Sequence, residues 1–340
     1  MNFLRIILFP FAILYGFITS IRNFLFDIGV LKSTSFPIPV IAVGNLSVGG
    51  TGKTPQIEYL IRLLSENYHV ATLSRGYKRK SKGFVLADAS TNAETLGDEP
   101  FQYYQKFPQI TVAVDANRTN GIQQLLKKEN PPEIILLDDA FQHRKVKADL
   151  YILLTAYNDL YCDDFMLPTG NLRESRSGAN RAEIVIVTKC PETLSEVEKL
   201  EIEAKLNLND NQKLFFTTIR YDHLVYSKCK EIPVFDIHKK NKLLLAGIAK
   251  PEPFYNFLKN DADKILTFPD HHHFSESEID EIKSKANQRL IVTTEKDYVR
   301  IKDDFSPEQL YYLPIQTAFL ADEKIFKETI SHFVSQFYIK

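Results

Sequence analysis

Residues 40–55, VIAVGNLSVGGTGKTP, constrain this chain more than any other stretch. An apolar, largely β-branched run, Val40 to Val43, breaks into a loop carrying Gly44, Gly49, Gly50 and Gly52. The loop ends in Lys53-Thr54 before an apolar pattern of helical period begins. That order predicts a strand, a phosphate loop and a helix. Glycines let successive backbone N–H groups turn inward without Cβ clashes, so together with the following helix N-terminus they form an anion cradle. Gly49, Gly50, Thr51, Gly52, Lys53 and Thr54 are the candidate nucleotide-binding set, with Lys53 reaching the β- and γ-phosphates of ATP and the Thr54 hydroxyl on Mg²⁺. The loop departs from the general eight-residue pattern, which wants Gly where Ser47 stands, and reads GGTGKT. Val48 occupies the place where dimerising ATPases with a similar loop carry lysine.

After Pro39 the chain alternates strand-like and helix-like segments. The stretch TPQIEYLIRLLSEN has Pro55 in its first turn and Ile57, Leu60, Ile61 and Leu64 at helical spacing. Strand-like runs follow at 69–73, 110–114, 134–137, 150–154 and 184–187, several of them continuously apolar, as strands buried on both faces are. The expected fold is α/β: a P-loop NTPase-like, doubly wound, mostly parallel sheet with ligands at the carboxyl ends of its strands, followed by a second, smaller α/β domain. The expected divisions are an N-terminal apolar helix in 1–30, a P-loop domain in 31–222 and the smaller domain in 223–340. Further strands are expected at 214–219, around 224–234, at 243–245 and at 290–293, with a closing helix at 325–337.

The Ile134 run ends in Asp138-Asp139, the Walker B arrangement of a carboxylate that holds Mg²⁺ at a strand's C-terminal end. Upstream, LSRGYKRKSKG gathers Arg75, Lys78, Arg79, Lys80 and Lys82 with no acid among them. It is either a solvated basic loop or a patch for an anionic lipid or phosphorylated substrate. Gly97-Asp98-Glu99-Pro100 reads as a turn, and in a kinase also as a place for a general base.

Residues 3–21, FLRIILFPFAILYGFITSI, are nearly all apolar. The uninterrupted part, 6–21, would reach about 24 Å as a helix, short of the roughly 30 Å hydrocarbon core, and Pro10 weakens it further as a span. An interfacial membrane helix is favoured over a helix packed on the protein's own core, and over a cleaved signal, for which no A-x-A-like site is present.

The chain has 340 residues with 44% hydrophobic and 25% charged residues, enough for two globular domains. A net charge of −1 offers no basic excess for a nucleic-acid partner. Cys162, Cys190 and Cys229 are scattered without metal-site or disulfide spacing.

Taken in order, VGNLSVGGTGKTP, LSRGY, GDEP, LDDAFQHR, LPTGNLRE (167–174), AGIAKPEPF (246–254), FPDHHHF (268–274) and TTEKDYVR (293–300) resemble the tetraacyldisaccharide 4'-kinases over nearly the whole chain. The resemblance implies transfer of the ATP γ-phosphate to the 4'-hydroxyl of a lipid-linked glucosamine disaccharide 1-phosphate. It implies a peripheral or monotopic enzyme at the cytoplasmic face of the inner membrane, with no obligate protein partner evident. Lys53 and Thr54 correspond to the family's phosphate-loop lysine and hydroxyl, and Asp138, Asp139 and Glu174 to its magnesium-associated acids. Asp98 corresponds to its base and His271 to the histidine paired with that base. A zinc reading of His271 to His273 is disfavoured, because three adjacent histidines cannot all face one ion from an extended segment.

A switch or partition-type nucleotidase is the rival class. A guanine-selective switch carries N-K-x-D after a late strand, and the corresponding stretch here is Thr188-Lys189-Cys190-Pro191. A kinase for a soluble metabolite would leave the apolar N-terminus without a purpose.

Overall fold

The computed structural model describes residues 5, 7–270 and 272–339. In chain order the elements are α1 (Phe9–Asp27), β1 (Val40–Asn45), α2 (Lys53–Leu64), β2 (Val70–Ser74), β3 (Val85–Leu86), α3 (Ala93–Leu96), α4 (Asp98–Lys106), β4 (Thr111–Val114), α5 (Arg118–Leu126), β5 (Ile134–Asp138), β6 (Leu150–Ala156) and β7 (Ile184–Thr188). They continue as α6 (Glu196–Leu206), β8 (Lys213–Tyr221), β9 (Leu224–Tyr226), β10 (Glu231–Pro233), α7 (Val234–His238), β11 (Lys242–Ala246), α8 (Glu252–Leu258) and β12 (Lys264–Thr267). The last are α9 (Glu276–Ala286), β13 (Leu290–Thr294), α10 (Glu295–Ile301), β14 (Leu310–Leu313), β15 (Ile315–Phe319) and α11 (Glu323–Ile339).

Two sheets organise these elements. A nine-stranded sheet runs β15-β8-β7-β6-β1-β5-β2-β4-β3, and a six-stranded one runs β10-β9-β14-β13-β11-β12. In the larger sheet β1 lies parallel between β5 and β6, with Val43 opposite Asp138. Only the edge pairings with β3 and β15 are antiparallel. The inner strands β1, β2, β5 and β7 are buried at every position, which is why they read as continuous apolar runs. The phosphate-loop helix α2 packs Ile57, Leu60 and Ile61 onto one face of this sheet, beside Ile41, Ile152 and Ile186.

The sheets divide the chain differently from a single cut at 222. After β14 in the smaller sheet, the chain crosses back, and β15 pairs antiparallel with β8 from Ile315 opposite Tyr221 to Phe319 opposite Thr217. Phe326, Ile330 and Val334 of α11 then join the core built on α2 and Phe215. A short strand carries no sequence signal for which distant edge it completes, so residues 315–339 looked continuous with the smaller unit.

α1 is long and apolar, yet only Ala12 and Phe26 are buried on it. Pro10 sits in its first turn, where no backbone N–H is required, so it starts the helix instead of breaking it. Phe11, Ile13, Leu14, Phe17, Ile18 and Phe24 are exposed, which is not the pattern of a helix packed on the protein's own core.

Phe326 is fully buried among Tyr59, Phe215 and Phe319. Phe326→Ala should therefore cost about 3–5 kcal/mol in urea unfolding of the larger unit. A loss below about 1 kcal/mol would show that α11 is not part of that core.

Candidate functional site

The loop after β1 closes into a cradle. Gly49 at φ 122° and Gly52 at φ 83° hold backbone conformations that side chains with a Cβ rarely adopt, and Gly52 caps the start of α2. The loop is pinned from outside. Val48 N–H donates to the Asn171 carbonyl at 2.8 Å, the Thr188 hydroxyl to the Thr51 carbonyl at 2.7 Å, and Lys189 Nζ to the Gly50 carbonyl at 2.6 Å. Among the described residues, nothing accepts from the N–H groups of Gly50, Gly52, Lys53 or Thr54. That is the donor set a polyphosphate needs. Unpartnered buried polar atoms crowd the same place: Asn45 Nδ2, Thr51 Oγ1, Gln142 Oε1 and the Nε atoms of Arg118 and Arg173. The residues present fit a nucleotide phosphate chain.

Asp138 and Asp139 close β5 with opposite fates. Asp139 turns out of the strand at φ 48° and meets cations. Arg173 reaches its two oxygens at 2.8 and 3.1 Å, and Lys53 Nζ lies 3.7 Å away. Burial opposes its charge, but Lys53 and the Arg173 fork outweigh that and hold its carboxyl down at about 2. Asp138 is 7% exposed and among the described residues has only hydroxyl donors, Tyr103 at 3.3 Å and Ser74 at 3.4 Å. Burial first, and then the adjacent Asp139 charge, push its carboxyl up to about 7 against the pull of Lys53. The Tyr103 hydroxyl also lies close to the Thr54 side chain, so one phenol neighbours both Thr54 and Asp138. Among the described residues no group of three or more His, Cys, Asp or Glu is arranged to hold a metal. Mg²⁺ takes one or two protein ligands and completes its shell with water and phosphate oxygens, so Thr54 and the charge-starved Asp138 fit it.

Glu174 has another task. Both its oxygens are 2.9 Å from Arg181 Nη2, and it also accepts from Gln142 Nε2 at 2.9 Å and Asn23 Nδ2 at 2.7 Å. It is already paired with Arg181, and among the described residues no contact brings it to Asp138 or Asp139. Binding a metal would require giving up a buried ion pair.

Asp98 opens α4 and is held by the Arg300 fork, with Nε donating to Oδ1 at 3.0 Å and Nη2 to Oδ2. His271 lies outside the described residues. Its neighbour His272 stacks on Phe268 and bonds Glu278 at 2.9 Å. The basic loop is partly spent on structure, because Arg79 donates to the Gly83 carbonyl at 2.6 Å and Lys80 pairs with Glu94 at 2.7 Å.

Several functional candidates escaped the sequence reading. Asn45 receives Lys53 at 3.2 Å and also bonds Arg173, so it aligns the loop lysine with Asp139. Arg173 stood beside Glu174 in the quoted LPTGNLRE run without being singled out. Glu99 lies near enough to add to the upward push on Asp138. Arg118, 3% exposed, feels both aspartates, and no motif marks it.

Comparisons with known proteins agree along the chain. The profile of the family described as tetraacyldisaccharide-1-P 4'-kinase matches residues 4–335. The chain is 67% identical to the tetraacyldisaccharide 4'-kinase of Flavobacterium johnsoniae over 336 residues, covering 99% of each. It is 48% identical to that of Bacteroides thetaiotaomicron, covering 93% of this chain and 90% of the other. Among solved structures, the "apo" form of LpxK from Aquifex aeolicus in complex with ATP superposes with a TM-score of 0.80 at 33% identity, covering 97% of this chain and 99% of that one.

The Asp138 environment makes a stability prediction. Its folded-state pKa near 7 lies above the ordinary carboxylate value, so the fold gains protons relative to the unfolded chain and loses stability as pH rises from about 4 to 7. The cost is on the order of a few kcal/mol above pH 7. Asp138→Asn should raise the Tm of nucleotide- and Mg²⁺-free protein by several degrees at pH 8, with the gain shrinking steadily toward pH 4, while abolishing activity. A Tm at pH 8 that is unchanged or lowered would show that Asp138 is not a destabilised carboxylate.

Proposed function

The chain belongs to the tetraacyldisaccharide-1-P 4'-kinase family, and from that premise we propose how its own residues carry out transfer of the ATP γ-phosphate to the 4'-hydroxyl of tetraacyldisaccharide 1-phosphate. The observation that carries this reading is the joining of a whole-length family match to a cradle of unpartnered N–H groups facing an asymmetric acid pair. A switch nucleotidase would not need the apolar helix or the paired units.

Lys53, aligned by Asn45 and Asp139, supplies positive charge beside the transferring phosphoryl group. Thr54 and Asp138 would hold Mg²⁺, which would offset the negative charge of the phosphate chain. Arg173 keeps Asp139 ionised and in place. Arg118 adds a second, buried cation near both acids. Asp98 takes the proton from the 4'-hydroxyl as its oxygen bonds the γ-phosphorus and the bond from that phosphorus to the β-phosphate oxygen breaks, releasing ADP, with His271 as its partner. Glu174 serves as an anchor, because through Asn23 it fastens α1 to the loop that carries Arg173.

α1 lies along the bilayer surface at the cytoplasmic face, where ATP is available. Its outward Phe and Ile side chains supply partitioning energy. Its inward side supplies Tyr15, whose hydroxyl donates to the Arg173 carbonyl at 3.0 Å, and Arg22, which donates to the Gln142 carbonyl at 2.8 Å. A lipid acceptor drawn from the membrane then arrives next to the phosphate loop.

The direct test is incubation of purified protein with γ-labelled ATP, Mg²⁺ and tetraacyldisaccharide 1-phosphate in detergent. Labelled lipid is the expected product, and ATP hydrolysis without lipid labelling would favour the switch class. Lys53→Ala should lower turnover about 10³-fold or more, and near-normal turnover would remove the phosphate-loop assignment. The membrane role has a cleaner variant than truncation. Phe11→Asp combined with Phe17→Asp changes only exposed positions, so binding to anionic vesicles should fall while Tm and ATP affinity hold. Unchanged vesicle binding would place the membrane contact elsewhere.

A further inference from the structure

The TTEKDYVR run, residues 293–300, has no task in the chemistry above. It forms the end of β13 and all but the last residue of α10, and it meets both halves of the molecule. Thr294 caps the helix by accepting from Asp297 N–H at 3.2 Å. Asp297, fully buried, accepts from the Thr294 hydroxyl at 2.7 Å and from Gly247 N–H at 2.8 Å, which fixes α10 to the end of β11. Lys296 pairs with Asp270 at 3.1 Å. On the other side, Glu295 meets Lys106 of α4 at 2.8 Å, and Lys106 in turn meets Glu58 of α2 at 2.8 Å.

Arg300 is the point where these two sets of contacts converge. Its guanidinium holds both oxygens of Asp98, donates through Nη1 to the His272 carbonyl at 3.2 Å, and lies 3.4 Å from Asp297 Oδ1. One planar group, itself nearly buried, thus spans 202 residues of chain to grip Asp98 and at the same time grips the backbone next to His271.

We propose that Arg300 is a positioning residue for phosphoryl transfer. Its fork sets the orientation of the Asp98 carboxylate and holds the His272 backbone against it. The proposal rests on the reading of Asp98 as the base. A guanidinium is suited to this work because it is always charged and presents donors in a rigid plane that matches a carboxylate. Lysine would supply the charge without the plane. Because reacting groups displaced by about 1 Å lose on the order of 10²-fold in rate, an orienting group of this kind acts on kcat more than on nucleotide binding.

The test compares wild type, Asp98→Ala, Arg300→Ala, Arg300→Lys and the Asp98→Ala/Arg300→Ala double variant at saturating ATP with tetraacyldisaccharide 1-phosphate in mixed micelles. Arg300→Ala should lower kcat about 10²-fold with the KM for ATP within about twofold of wild type. Arg300→Lys should recover part of the loss. Millimolar guanidinium chloride should raise the rate of Arg300→Ala and not that of Asp98→Ala. The double variant should be no slower than Asp98→Ala, as groups acting as one unit are.

Normal kcat in Arg300→Ala with a slow Asp98→Ala would overturn the positioning role and leave the base reading standing. Normal kcat in Asp98→Ala would remove the base reading itself. An Arg300→Ala enzyme faster than wild type would mean that the pair restrains Asp98 and must open, which contradicts the proposal. Should Arg300→Ala fail to fold, Arg300→Lys decides. A kcat loss of about tenfold at unchanged Tm upholds the proposal, and wild-type kcat overturns it.

Discussion

Two consecutive carboxylates at the end of one buried strand set the terms for everything around the phosphate loop. Two adjacent negative charges in a low-dielectric setting cannot both be satisfied by the same neighbours. The chain separates them with one backbone reversal at Asp139, which leaves Asp138 in line with β5 and turns Asp139 toward Lys53 and Arg173. Asp139 is thereby held well below the usual carboxylate range and packs as part of the scaffold, while Asp138 is left short of positive charge. The asymmetry leaves one carboxylate short of positive charge and commits the other to Lys53 and Arg173.

That arrangement depends on contacts far from the strand. Arg173 reaches Asp139 because its own backbone N–H is bonded to the Leu46 carbonyl at 2.7 Å and its carbonyl accepts from Tyr15 of α1. The next residue, Glu174, is bound to Asn23 of the same helix. A helix whose outer face is apolar and exposed is therefore tied by its inner face to the group that orients the acid pair. On the proposed seating of α1 against a bilayer, membrane attachment and phosphate handling would share one set of contacts, and a change in that seating would be felt at Asp139.

Much of this could be read from the sequence, and what could not has a physical cause. The phosphate loop, the Asp138-Asp139 pair and the continuous buried strands were legible because each is a local pattern whose spacing carries the geometry. The surroundings of Glu174 were not legible, because its position in a shared motif says nothing about which side chains meet it, and Arg181, Gln142 and Asn23 approach it from three separate places in the chain. The placing of β15 beside β8, and of Arg118 beside the acids, also depends on long-range packing. Arg300 illustrates the same limit, since its value lies in touching Asp98 and the His272 carbonyl together, a juxtaposition no run of residues announces.

The central claim, that Asp138 and Thr54 receive the metal while Asp139 and Glu174 are already committed to cations of the chain, has a direct measurement. Crystals of the protein with a non-hydrolysable ATP analogue and Mn²⁺ would locate the metal by its anomalous signal. The account predicts a peak at about 2.1–2.2 Å from an Asp138 oxygen or a water bound to it, and beside the Thr54 hydroxyl, with the Arg173–Asp139 and Arg181–Glu174 pairs intact. A peak bound directly to Glu174, with Arg181 displaced from it, would contradict the account.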